Sequence, residues 1–420
     1  MAKMKNVVVF GDNISDIGNR WLWPTERPDR WPGALCVNES GRYSDGKNWT
    51  DFLVEWSTGD ALMWGNSDLT IRKSADYRTL TRYSVLDVDP GDKPPEMRPW
   101  RNLDECVGHP GGESGWERRP VPSPQQVRYV NYARGGCVVA RDRTFTRGFG
   151  SLSCLRGQVE DYLAQRSFLG TEFDGPTLHI LWAGLNDFVT VERPDHDRTK
   201  APNLPSTNDY TAWETWSRAH PEESEDGVGA FPAVAETRSL IEAIVSDSPG
   251  AEAEQYFMVV DLPNVYSGEP VIDRYNALLA SLVSDWPQGN GAPAQGHVHL
   301  VTMSKWMEHV GREPAAWQLS SESQPTGVRP FYDTGTPPAP AQDPVPAQDP
   351  VPAQDPVPAQ VRRCFTTSDP RHPTQAVHSL MARYFVATLL KSGHALGRLD
   401  NDTCPLESPL SALPLDIPTT

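Results

Sequence analysis

Asp369-Pro370-Arg371-His372 places a carboxylate three residues ahead of an imidazole. Within one turn of chain the carboxylate can accept from one ring nitrogen, which leaves the other free to act as a base. The plainer reading of His372 is a histidine in the N-cap region of a helix that opens at Pro373, a residue suited to a first helical position. A second candidate is Phe10-Gly11-Asp12-Asn13-Ile14-Ser15-Asp16, where an apolar run breaks abruptly. A strand that ends there delivers the next residues to the carboxyl edge of a sheet, where open α/β folds bind ligands. Without a ligand in mind, the same segment is a strand-to-helix turn capped by Ser15 or Asp16. Asn186-Asp187, read alone, is an Asx turn. Cys137 is a thiol beside the Gly135-Gly136 pair, and a buried packing cysteine is the expectation for it.

These residues need a scaffold, and the hydrophobic pattern supplies one. Val7–Phe10, Arg128–Tyr132, Leu178–Ala183, Tyr256–Asp261 and Val298–Met303 read as strands. Between them lie helical spacings: Trp49, Phe52, Leu53 and Trp56, then Leu155, Val159, Tyr162 and Leu163. Leu240-Ile241 with Ile244-Val245, the stretch 271–286, and a last helix from Pro373 to about Leu390 complete the set. Strands that alternate with helices predict a doubly wound, mostly parallel five-stranded sheet. Three insertions interrupt it, at 86–127, 192–229 and 319–360. The last contains Ala-Gln-Asp-Pro-Val-Pro three times over 341–358. Proline at that density blocks helix and sheet pairing, so the repeat should be an extended, solvated spacer. At least one of the first two insertions is expected to cover the site around Asn13 and His372, since both leave from the carboxyl edge.

Five segments, in order, carry a family likeness. Phe10-Gly11-Asp12-Asn13-Ile14-Ser15-Asp16-Ile17-Gly18-Asn19 resembles the first block of the GDSL, or SGNH, hydrolases, Phe-Gly-Asp-Ser-Leu-Ser-Asp-x-Gly-Asn. Gly41-Arg42-Tyr43-Ser44-Asp45-Gly46 is similar to that family's Gly-Arg-Phe-Ser-Asn-Gly segment. Asn131-Tyr132-Ala133-Arg134-Gly135-Gly136 resembles its second block, and Trp182-Ala183-Gly184-Leu185-Asn186-Asp187 its third. Asp369-Pro370-Arg371-His372-Pro373-Thr374 resembles the block that carries base and acid. The resemblance runs from residue 6 to about 392, the insertions excepted. It implies a flavodoxin-like three-layer α/β/α SGNH-hydrolase fold, with residues 1–400 as one domain and 401–420 as a tail. It also implies catalytic roles for His372 as base and Asp369 as its orienting acid. An oxyanion hole would be built from the Gly136 N–H, the Asn186 side-chain amide and the backbone N–H of Asn13. Gly135 is the alternative to Gly136, because sequence does not fix which N–H points inward.

At the nucleophile position the family has Ser and this chain has Asn13. A carboxamide has no hydroxyl to deprotonate and forms no acyl-enzyme. Ser15 is the alternative nucleophile, although the family pattern already has a Ser there. Three readings follow: an ester- or acyl-directed enzyme in which His372 activates water or an acceptor hydroxyl; a catalytically inactive binding protein; or a non-hydrolytic acid–base enzyme (elimination, cyclisation or isomerisation). The expected partner is a small-molecule ester or acyl compound, and no metal or organic cofactor is implied. Trp21, Trp23 and Trp31 follow the first block closely and could line a cleft or pack on the insertions.

Composition narrows the classes. With 38 Lys+Arg against 55 Asp+Glu, the net charge of −17 argues against a nucleic-acid or anionic-membrane surface. No apolar run approaches the ~20 residues needed to span a bilayer. The 40 prolines, about twice the usual ~5% share, require much loop. Cys36, Cys106, Cys137, Cys154, Cys364 and Cys404 form no CxxC and no metal-type spacing. Sequons at Asn13, Asn38, Asn48 and Asn401 and an even cysteine count suit a secreted protein. Val7–Phe10 is too short, and too quickly followed by Gly11-Asp12, to be a signal-peptide core, so the expectation is cytoplasmic unless a leader was removed.

Overall fold

Asn-Val-Val-Val-Phe-Gly, residues Asn6–Gly11, is buried at every position, as a strand covered on both faces must be. It is β2 of the fold, preceded by the short β1 (Ala2–Met4). The computed structural model describes residues 2–17, 42–44, 47–58, 108–109, 117–118, 127–139, 145–146, 150–151, 154–169, 175–189, 205–220, 230–248, 254–264, 270–286, 297–317, 319 and 372–397. The elements after β2 are α1 (Trp49–Thr58), the short pairs β3 (Gly108–His109) with β4 (Glu117–Arg118), β5 (Arg128–Asn131), and β6 (Phe145–Thr146) with β7 (Gly150–Ser151). Then come α2 (Leu155–Leu169), β8 (Thr177–Trp182), α3 (Leu185–Val189), α4 (Tyr210–Ala219), α5 (Ala230–Ser246) and β9 (Gln255–Val260). The last are α6 (Pro270–Ser284), β10 (His297–Val301), α7 (Met303–Arg312), α8 (Gln375–Lys391) and β11 (His394–Leu396).

The main sheet has the order β10-β9-β8-β2-β5, and every pairing in it is parallel. Counting only these five strands, that order is 2-1-3-4-5 read from β5, one of the two common doubly wound arrangements. The central strands β2 and β8 bury both faces, whereas the edge strand β10 is only partly buried. On β8, His179 stacks toward Phe10 and Phe257 and meets Tyr162 of α2 edge-on. Three residues on, Trp182 meets Trp49 of α1, which also packs on Phe385 of α8. Positions of opposite parity face opposite sides of a sheet. One face is therefore covered by α2, α5 and α6, the other by α1, α8 and α7.

All five strand expectations match observed strands within two residues at either end. Three details differ. The sheet is wholly parallel. Met303 opens α7 and is not the last residue of a strand. Pro373 sits before the helix, because Thr374 is the N-cap and its side chain accepts from the Val377 N–H, which starts α8 at Gln375. Of insertion 192–229 the described part carries α4, whose packing partners are α5 and α6. The repeat at 341–358, Trp21, Trp23, Trp31, Asp369 and the tail at 401–420 lie outside the described residues, as do Cys36, Cys106, Cys364 and Cys404. Cys137 and Cys154 are free thiols, Cys137 buried as expected. Asn48 is fully buried with its carboxamide in use, which is incompatible with a glycan in the folded chain. Among the described residues no helix is long and apolar enough to cross a membrane.

The core makes one acid-side prediction. His179 is fully buried, one ring nitrogen 2.9 Å from Gln255 Oε1, and burial pulls its pKa down to about 3. The unfolded chain protonates this group near 6.5 while the folded one resists. Its stabilising contribution is thus complete above about pH 6.5 and is lost as pH falls toward 3. Buried Asp12 and Asp261, raised to about 7 and 6, act in the opposite sense, so the wild-type profile alone is a sum. Against a His179→Phe variant, the wild type should lose about 2–3 kcal/mol between pH 7 and pH 4.5, measured by urea unfolding. Parallel profiles for the two proteins would show that His179 is not held neutral.

Candidate active site

Three strands end side by side, and each delivers a piece of the site. β2 leads into Asp12 and Asn13, β5 into the Gly135-Gly136 turn, and β8 into Asn186 at the start of α3. β2 lies between β5 and β8, so the three ends meet where the winding direction reverses, the usual ligand crevice of such sheets. His372 arrives from the opposite end of the chain, just before α8.

The turn after β2 is braced from several sides. Gln158 of α2 donates to the Gly11 carbonyl and accepts from the Gly11 N–H, both at 2.9 Å, and so stands in for a strand neighbour. Asp12 Oδ1 accepts from the Ile14 N–H at 3.2 Å, and Ser15 N–H donates to the Asp12 carbonyl at 3.1 Å. Asn131 donates to the Ser15 carbonyl at 2.8 Å. The Gly-Gly turn is fixed to the same loop: the Gly135 N–H donates to Asp16 Oδ2 at 2.7 Å. A Cβ on Gly135 would overlap the Tyr43 side chain, with its hydroxyl oxygen only 1.9 Å away. Gly136 holds φ +76°, the left-handed region that favours glycine. These constraints aim the Gly136 N–H at Asn13, where it donates to Oδ1 at 2.7 Å.

Asn13 is therefore engaged at both ends of its carboxamide. Its Oδ1 accepts from both the Gly136 N–H and Asn186 Nδ2, the latter at 3.1 Å. Its Nδ2 lies 3.2 Å from His372 Nε2. A backbone N–H can only donate, so the carboxamide must turn its oxygen toward Gly136 and its NH₂ toward the imidazole, which accepts. The backbone N–H of Asn13 has no partner among the described residues. Asn186 is itself oriented, since its amide also donates to the Cys137 carbonyl at 3.2 Å and reaches Asp12 Oδ2 at 3.4 Å. The Tyr43 ring packs on His372 with centroids 5.1 Å apart.

Of the residues expected to act, the structure brings together Asn13, Gly136, Asn186 and His372. Gly136, not Gly135, supplies the inward N–H. Ser15 is fully buried, and its hydroxyl accepts from the Trp49 indole N–H at 3.1 Å. Asp16, Gln158 and Tyr43 were not foreseen as parts of the site. Asp16 and Tyr43 had a local signal, each lying in a family-like segment, whereas Gln158 reaches the site through tertiary packing alone.

Electrostatically the floor is acidic. Burial, reinforced by the nearby Asp187 and Asp16 carboxylates, pushes Asp12 up to about 7, so near neutrality it is partly protonated. Asp187 accepts the Val139 N–H at 2.6 Å and so holds the segment that follows the Gly-Gly turn. Below the site, His378 of α8 accepts the Trp49 N–H at Nδ1, 3.3 Å, and burial holds it neutral with a pKa of about 3. Among the described residues no group of three or more His, Cys, Asp or Glu is arranged to hold a metal ion. The chain matches no protein-family model, and no curated protein is significantly similar to it.

Proposed function

We propose that the chain is an SGNH-type hydrolase relative whose site takes the carbonyl group of an ester or acyl substrate. One observation carries this reading. Two fixed donors converge on a single oxygen, while an imidazole nitrogen stands 3.2 Å from the nitrogen bonded to the same carbon. That is the arrangement an acyl group needs: its oxygen in an oxyanion hole and its leaving group at a general acid–base. Here the occupant is the side chain of Asn13 itself.

The mechanism then follows from the missing hydroxyl. A substrate carbonyl enters the hole when the Asn13 side chain rotates away. His372 takes a proton from water, or from an acceptor hydroxyl, as that oxygen attacks the carbonyl carbon. Gly136 N–H and Asn186 Nδ2 hold the oxyanion, each donor worth about 2.7–4 kcal/mol in comparable sites. The protonated imidazole then delivers its proton to the departing alcohol. Asp369 would orient His372, as the family resemblance implies.

A second reading, a binding protein with no turnover, is favoured by the same occupancy, since a filled hole and an engaged base describe a resting state. Purified protein assayed against short- and long-chain acyl esters separates the two. The hydrolase reading expects slow turnover that His372→Ala removes almost entirely and Asn186→Ala lowers by about 10²–10³. No turnover in the native protein would leave binding alone, and turnover unchanged in His372→Ala would place the chemistry elsewhere.

A further inference from the structure

The carboxamide in the hole is also a potential substrate. We propose that Asn13 is a self-modification site: water hydrolyses its side-chain amide, assisted by His372, Gly136 and Asn186, and converts residue 13 to aspartate. This inference rests on the reading of those three residues as an acyl-transfer site.

The geometry holds the acyl oxygen and the leaving nitrogen as amide hydrolysis requires. The reacting oxygen, Oδ1, already has two donors at 2.7 and 3.1 Å, ready for the charge that develops on it. The leaving nitrogen, Nδ2, is 3.2 Å from His372 Nε2, a ring nitrogen that can return a proton to it. Asn13 is only partly buried while its neighbours Asp12 and Ile14 are buried, so solvent can reach its side chain. The step balances with water as the sole co-reactant. Its oxygen bonds to Cγ while His372 takes one of its protons. The tetrahedral oxyanion collapses, the Cγ–Nδ2 bond breaks, and the imidazolium gives its proton to the departing nitrogen. The second water proton leaves with ammonia as ammonium, and a carboxylate remains with one oxygen on Gly136 and Asn186.

The usual alternative for asparagine is cyclisation, in which the following backbone nitrogen attacks Cγ. Here that nitrogen belongs to Ile14, a β-branched residue, and its N–H is committed to Asp12 Oδ1 at 3.2 Å. Imide formation is therefore obstructed where assisted hydrolysis is favoured. The two routes differ in product: hydrolysis leaves only aspartate, whereas the imide opens to a mixture with isoaspartate.

The test is peptide mapping by mass spectrometry on full-length protein held for weeks at neutral pH in heavy-oxygen water. The expected result is conversion of Asn13 to aspartate carrying one heavy oxygen, with no isoaspartate at that position. Asn186→Ala should slow it by about 10²–10³, and His372→Gln should bring it to the level of an ordinary partly buried asparagine. Isoaspartate at position 13, or conversion that His372→Gln and Asn186→Ala leave unchanged, would overturn the proposal in favour of cyclisation. An intact Asn13 is resolved by the Asn13→Ser variant. If that variant reacts with a fluorophosphonate while native Asn13 persists, the acyl site is assembled and only the self-hydrolysis is wrong. If neither reacts, the reading of the site falls with it.

Discussion

Asn13→Ser should convert a protein inert to fluorophosphonate probes into one that labels and hydrolyses activated esters. In a serine-hydrolase constellation, loss of the nucleophile costs about 10⁶ in turnover, while the hole and binding still leave ~10³–10⁴ over water. Restoring the hydroxyl therefore has the larger part of that range to recover. The substitution acts twice. It removes a carboxamide oxygen held by Gly136 and Asn186, so a substrate carbonyl can enter the hole. It also places a hydroxyl on Cβ, beside the imidazole that Asn13 Nδ2 now engages. Asn and Ser are both small polar turn residues, and the turn is braced by Gln158, Asn131 and Asp16 and not by the Asn13 side chain alone. Labelling is read by gel fluorescence and turnover with activated acyl esters. Strong labelling of the native protein would point to another nucleophile. A folded Asn13→Ser protein that neither labels nor hydrolyses would leave the binding reading in front.

The second large effect is on stability. Arg42 and Asp51 form a fully buried two-pronged ion pair, with Nη2 to Oδ1 at 2.7 Å and Nε to Oδ2 at 3.1 Å. Asp51 also accepts the Asn48 N–H at 2.9 Å, and Asn48 Oδ1 accepts the Thr50 and Asp51 N–H groups, a reciprocal cap on α1. The third arm of Arg42 donates to the Ile17 carbonyl at 2.8 Å, and Asn48 Nδ2 donates to the Asp16 carbonyl at 2.9 Å. The cluster thus ties the cap of α1 to the loop that carries Asn13. Asp51→Ala removes the buried carboxylate that engages Nε and Nη2 of Arg42 and caps α1, and should cost about 3–5 kcal/mol. Replacing both partners, Arg42→Met with Asp51→Leu, should cost less than Asp51→Ala alone. Urea unfolding at an unchanged slope gives the values. A shift below about 1 kcal/mol in Asp51→Ala would show that the pair is not what holds this loop.

The sheet was legible because its central strands are largely apolar runs, unbroken at Val7–Phe10 and interrupted only by His179 in Leu178–Trp182, as parallel strands buried on both faces require. β1 and β11 were not, since three residues carry no periodicity and each is defined only by the other. α7 was hidden because Met303 continues the apolar run of β10, and only the break at Thr302 separates them. In the site, Asn13, Gly136, Asn186 and His372 stood out through their family-like segments. The direction of the Asn13 carboxamide did not. It is set by one N–H from the turn after β5, one amide from α3 and one imidazole from before α8, all distant in sequence. Asp369 carries the part of the expectation that lies outside the described residues.

The pairing of β1 with β11 has a mechanical meaning. Ala2, Lys3 and Met4 run alongside His394, Ala395 and Leu396 in the same direction, and the Ala2 N–H reaches the Gly393 carbonyl at 3.1 Å. Tension applied at Ala2 and at Leu396 pulls two parallel strands lengthwise in opposite directions. The bonds between them then carry the load together and cannot open one at a time like a zip. Met4 and Leu396 are buried in the main core, so sliding this pair also drags apolar side chains toward water. Under traction the fold is clasped where β1 meets β11, and the strand ends that carry Asn13, Gly136 and Asn186 take up load only after that clasp shears.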